Sequence, residues 1–96
     1  SGTTGQPKGV CLDAGAQLAV ARSLAGVSTA CGVERHLSVL PLATLLENVG
    51  GVYAAILAGA RVDLVPQAAL GMTGASGFDV ARFIRSLHEH RPHSLI

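Results

Sequence analysis

Ninety-six residues, 49% of them apolar and 14% charged, are too hydrophobic for a disordered segment and rich for a small free-standing domain. Seven Lys and Arg against six Asp and Glu leave a formal charge of +1, with the basic residues scattered and only one Tyr and two Phe, which argues against a nucleic-acid surface. The longest uncharged apolar run, Val49 to Ala60, falls well short of the roughly 20 residues that cross a bilayer and is broken by Gly50-Gly51.

In chain order, Ser1 to Pro7 are small, polar or turn-forming and predict a loop, and Lys8 to Leu12 has the character of a strand start. Asp13 is a candidate N-cap for a helix from Ala14 to about Cys31, with Leu18, Ala21, Leu24 and Ala25 on one face. A second strand, His36 to Leu40, ends at Pro41. The strongest helical signal follows, because Leu45, Val49, Val52, Tyr53, Ile56 and Leu57 recur every three or four positions between Thr44 and Ala58, and Gly59 stops the run. This stripe is read mainly as core. A third strand spans Arg61 to Val65, and Pro66 to Gly77 is a Gly, Ala and Ser-rich loop. Asp79 caps a last helix bearing Val80, Phe83, Ile84 and Leu87, ended by Pro92 before a fourth strand at His93 to Ile96.

Strands alternating with helices in the order β-α-β-α-β-α-β predict an α/β fold, a mostly parallel sheet flanked by helices. The start at Ser1 without Met and the break in an apolar run at Ser94-Leu95-Ile96 lead us to expect residues 1–96 to be part of a larger domain, incomplete at both ends.

Several residues are set aside. Cys11 and Cys31 have neither CxxC spacing nor a second pair, and read as reduced thiols packed as small hydrophobes. His88 and His90 are two apart on a helix and face nearly opposite ways, with His93 beyond Pro92, so they read as solvated groups rather than metal ligands. His36 has no neighbouring Ser or Cys in a nucleophile motif. Glu47 and Asp79 are isolated carboxylates with helix-surface or capping roles.

Ser1-Gly2-Thr3-Thr4-Gly5-Gln6-Pro7-Lys8-Gly9 packs three hydroxyls, three glycines and one lysine into nine positions. Glycines let successive backbone N–H groups turn into one concavity, the hydroxyls add donors, and the Lys8 ammonium supplies a full charge for phosphate oxygens. The segment is neither a Walker loop, which needs Ser or Thr after the lysine where this chain has Gly9, nor a GxGxxG turn. No helix N-terminus is expected after Lys8, so the loop's own donors must hold the anion.

Over ten consecutive positions, Ser1 to Val10 resembles the signature loop of the adenylate-forming superfamily, which includes acyl-CoA synthetases, luciferases and peptide-synthetase adenylation domains. Leu40-Pro41-Leu42-Ala43-Thr44-Leu45-Leu46-Glu47, followed by Gly59-Ala60-Arg61 and by Arg91-Pro92, resembles long-chain acyl-CoA synthetases, where this stretch joins a core strand to the helix lining the acyl site. The chain departs from that pattern at Thr44, commonly His, and at Asn48, commonly Arg. Thr44 can still donate a hydrogen bond, and it reads equally as a cap for the following helix.

The resemblance implies an AMP-forming ligase of fatty acid metabolism that uses ATP, magnesium and CoA to turn a fatty carboxylate into acyl-adenylate and then acyl-CoA. It implies that Ser1, Gly2, Thr3, Thr4, Gly5, Lys8 and Gly9 bind ATP phosphates, Lys8 and Thr4 with catalytic roles, and that Thr44, Leu45 and Asn48 border the acid. It also implies a cytoplasmic protein, with peripheral membrane association compatible, that depends on the remainder of its parent chain for activity. The alternatives are an adenylation domain for an aryl or amino acid, and a noncatalytic relative acting as a binding module.

Overall fold

The computed structural model describes residues 5–74 and 76–96. Helix α1 spans Ala14–Ala30 and begins where expected, since the Asp13 carboxylate accepts from the backbone N–H of Ala16 at 2.9 Å. Strand β1, Arg35–Ser38, lies at the centre of a three-stranded sheet. Strand β2, Arg61–Leu64, pairs with it in parallel on one side, with Arg35 opposite Arg61 and Ser38 opposite Leu64. On the other side strand β5, Ser94–Leu95, is also parallel, with His36 opposite Ser94. Parallel neighbours require crossover connections, and helices supply them. Between β1 and β2 lies a π-helical stretch, Leu46–Tyr53, that runs directly into α2, Ala54–Leu57. Between β2 and β5 come a 3₁₀ turn, Gln67–Leu70, a small antiparallel hairpin of β3, Met72–Thr73, and β4, Gly77–Phe78, and then helix α3, Val80–His90.

Successive side chains of β1 point to opposite faces of the sheet, and this sorts the two helical layers. Leu37 and Val39 turn to the layer of α3, where with Leu70 they form the buried core, flanked by Val65, Met72, Phe83 and Leu87. Fully burying Leu37 contributes about 1.5 to 3 kcal/mol. The Ser86 hydroxyl donates to the Ala69 carbonyl at 2.6 Å and ties α3 to the 3₁₀ turn. Asp79 caps α3 by accepting from the N–H of Arg82. The helix stops because Pro92 disfavours a helical Arg91, which adopts φ 47° instead. On the opposite face, α1 packs against both the π-helical stretch and α2.

The structure departs from the sequence reading in several places. Lys8 to Leu12 forms no strand; it is exposed and pairs with none of the described strands, although β2 and β5 are both edge strands. The Pro66 to Gly77 loop contains the 3₁₀ turn and the hairpin. The stripe read as core is largely exposed at Leu45, Tyr53, Ile56 and Leu57, whereas Glu47, Val49, Gly51, Ala54 and Ala55 are buried. Small residues on that face let the helix lie close against the sheet, which leaves the large side chains at its flanks. Finally, Cys11 and Cys31 are free and exposed rather than packed.

Candidate functional site

In an open parallel sheet, ligands bind outside the carboxyl ends of the strands, and two concave features of this chain lie at or beside that edge. A crevice of about 340 Å³ is lined by Ser38, Leu40, Pro41 and Leu42, leaving β1, and by Leu64 to Gln67, leaving β2. Its floor is braced by Gln67, whose amide donates to the Val39 carbonyl at 2.9 Å. A second, open and almost wholly apolar groove of about 440 Å³ runs between α1 and the π-helical stretch, lined by Leu12, Val20, Leu24, Leu45, Leu46 and Val49 among others.

The loop joining these features carries Thr44, Leu45 and Asn48, the residues expected from the sequence to border an acid. The backbone N–H of Thr44 donates to the Pro41 carbonyl at 2.8 Å, and the Thr44 carbonyl accepts from the N–H of Asn48 at 2.9 Å. The Asn48 carboxamide reaches back to the Leu42 carbonyl at 3.3 Å, holding the turn against the helix it enters. Leu45, not Thr44, occupies the cap position, in helical conformation and without a side-chain cap bond. Thr44 is half-buried and Leu45 lines the apolar groove.

Of the phosphate-loop residues, Ser1, Gly2, Thr3 and Thr4 lie outside the described residues. Gly5 adopts φ 83°, a conformation glycine takes without steric cost. Lys8 and Gly9 are exposed, and among the described residues no carboxylate pairs with the Lys8 ammonium. Four residues on, Leu12 lines the same groove as Leu45, so the two segments singled out in the sequence converge on one side of the fold.

Two side chains that sequence reading set aside, His36 and Glu47, come together with Ser94 behind this site. Glu47 is not at the helix surface but completely buried, and one carboxylate oxygen lies 3.1 Å from Nε2 of buried His36. The other ring nitrogen, Nδ1, lies 2.9 Å from the hydroxyl of Ser94, 58 residues away in sequence. The one advance sign was Gly50-Gly51 inside a helix, a place where glycine costs stability and therefore hints at a close approach.

Of the remaining histidines, His88 is exposed and His90 and His93 have ordinary partners. His90 bonds to Asp63 at 3.0 Å, and His93 accepts from the backbone N–H of Glu34 at 3.0 Å. Burial pushes the Asp63 carboxyl up, but hydrogen bonds and charge from Arg61 and His90 together outweigh it and hold Asp63 below its ordinary value. Among the described residues no three His, Cys, Asp or Glu side chains are grouped to hold a metal ion, and no helix is long and apolar enough to cross a membrane.

A family model described as AMP-binding enzyme matches residues 1–95. No curated protein and no solved structure matches the chain.

Proposed function

The chain belongs to the AMP-binding enzyme family, and on that premise we propose that it serves a fatty acyl-CoA synthetase. Adenylate formation with ATP is the chemistry of the family; the fatty substrate and the CoA step are our reading. The observation that carries it is the apolar groove shared by Leu12 and Leu45, which continues the phosphate loop on one side and the Leu40 to Thr44 turn on the other. An aliphatic chain suits a groove with so little polar lining, because burying each methylene there contributes about 0.8 kcal/mol.

In the first step a carboxylate oxygen attacks the α-phosphorus of ATP. The bond from that phosphorus to the oxygen bridging to the β-phosphate breaks, and pyrophosphate leaves with the electron pair. Negative charge grows on the departing group, so its stabilisation matters most in the transition state. Loop N–H groups, the Thr3 and Thr4 hydroxyls and the Lys8 ammonium supply it, each well-placed donor being worth on the order of 10² to 10³ in rate. In the second step the CoA sulfur attacks the acyl carbon and AMP departs. Thr44 and Asn48 orient the acid head group beside the groove. ATP and CoA as substrates support a cytoplasmic setting. Magnesium belongs to the implied chemistry, but the described residues form no cluster to hold it, and no step is assigned to it.

The test is Lys8→Ala in the full-length protein. Losing one charge-assisted contact costs about 1.5 to 3 kcal/mol, or roughly 10- to 150-fold in adenylate formation, if the contact tightens in the transition state. Thioester formation from supplied acyl-adenylate should fall much less, because the phosphates that Lys8 holds have already left. Acid-dependent ATP–pyrophosphate exchange and single-turnover thioester formation measure the two steps. Equal losses in both would refute the role given to Lys8, and exchange with amino or aryl acids but not fatty acids would refute the substrate.

A further inference from the structure

The buried group behind the acid-side turn is expensive to keep. Glu47 is 0% exposed and His36 3%, and one Glu47 oxygen, Oε2, has no hydrogen-bond partner among the described residues. Apolar side chains of similar size would pack there at no loss of stability, whereas a carboxylate with one oxygen unpaired is a net cost. The surrounding sequence is nevertheless shaped to admit it. A Cβ built on Gly51 would fall on Glu47 Oε1 and come within 2.6 Å of His36 Nε2, so the helix can carry this pair only with glycine at that position.

The hydrogen bonds are consistent along the chain of three. His36 donates from Nε2 to Glu47 Oε1, and the Ser94 hydroxyl, which can both give and accept, satisfies Nδ1 whether or not that nitrogen is protonated. The chain therefore joins β1, β5 and the first part of the π-helical stretch. Asn48, the next residue, is bonded to the Leu42 carbonyl, and its own N–H is bonded to the carbonyl of Thr44. Rotating Glu47 out of place would carry Asn48, Leu42 and Thr44 with it. A local π-helical winding is itself a frequent feature of functional sites, where it re-aims side chains that an α-helix would place elsewhere.

We propose that Glu47, anchored by His36 and through it by Ser94, is a positioning residue that sets the rotation of the π-helical turn and hence the placement of Thr44 and Asn48 against the acid. This rests on the reading of the acid-side site given above. It adds to that reading a residue that does not touch the substrate.

The experiment is acid-dependent ATP–pyrophosphate exchange by the full-length protein, with acid and ATP varied separately, for Glu47→Ala, Glu47→Gln and Ser94→Ala. Misplacement by a fraction of an ångström should raise the KM for the acid roughly tenfold in Glu47→Ala while the KM for ATP stays within about twofold. Glu47→Gln keeps an oxygen that accepts from His36 and should restore most of the acid KM. Loss of the distal anchor in Ser94→Ala should give a smaller change of the same kind, and it serves as the test if Glu47→Ala does not fold. An unchanged acid KM in the folded variants overturns the proposal, as does an equal change in both KM values without rescue by Gln. Wild-type exchange with a fatty acid beside such a result would leave the proposed function standing and remove only the positioning role; absence of exchange with every acid tried would remove both.

Discussion

Gly50 and Gly51 are neighbours in the same helical stretch, yet they should respond to alanine with opposite signs. A Cβ at Gly50 meets Ile96 Cδ1 at 3.4 Å, Leu24 Cδ1 at 3.5 Å and Leu46 Cδ1 at 3.7 Å, which is ordinary van der Waals contact with flexible methyl groups. Gly50→Ala therefore keeps the packing and gains helix propensity, stabilising by about 0.5 to 1 kcal/mol. At Gly51 the same methyl collides with the Glu47 carboxylate and approaches the His36 ring. The pair must separate, and breaking a buried pair of this kind costs about 3 to 5 kcal/mol. After the same gain in propensity, Gly51→Ala should destabilise by about 2 to 4 kcal/mol. Urea melts of the full-length protein and both variants, followed by near-ultraviolet circular dichroism, measure the difference. Repeating Gly51→Ala in a Glu47→Ala background adds a double-mutant cycle, in which most of that cost of about 3 to 5 kcal/mol should appear as coupling because the pair is already absent and the carboxylate no longer obstructs the methyl. Two glycine variants that shift equally and in the same direction, with no coupling to Glu47, would refute the reasoning.

Thr44→Ala should raise the acid KM several-fold and leave ATP affinity nearly unchanged, since removing one hydroxyl donor costs about 0.5 to 1.5 kcal/mol; a change confined to ATP would place Thr44 on the wrong side of the site. Asp63 titrates below its unfolded value of 3.8, so its contribution to stability is complete above that pH and is lost as pH falls through the lower folded value. Asp63→Asn should accordingly be less stable than wild type at neutral pH, with the gap closing below 3.8, and thermal melts across pH would show a constant gap if the Arg61 and His90 partners did not matter.

Local signals in the sequence located the parts whose causes are local. Asp13 and Asp79 stand three residues before the N–H groups they accept from, and Gly59 and Pro92 follow the helices they stop, so both caps and both stops could be read from neighbouring residues. The α/β class followed from strands alternating with helices, and the ten positions from Ser1 to Val10 pointed to the family because a signature of consecutive residues is readable without the fold. What depends on a distant partner was not legible. Lys8 to Leu12 has strand composition but is not laid against either edge strand of the sheet, and composition cannot decide that placement. Counting large apolar side chains placed Val49 in the core correctly but misplaced Leu45, Tyr53, Ile56 and Leu57, because close approach to the sheet favours Gly51, Ala54 and Ala55 there. Above all, Glu47 looked like a surface carboxylate until the parallel pairing of β1 with β5 set Ser94 beside His36 and the crossover brought Glu47 against the His36 ring. A sequence records which side chains a turn of helix carries; only the tertiary structure decides which of them face a buried histidine, because that choice is made by packing between segments far apart in the chain.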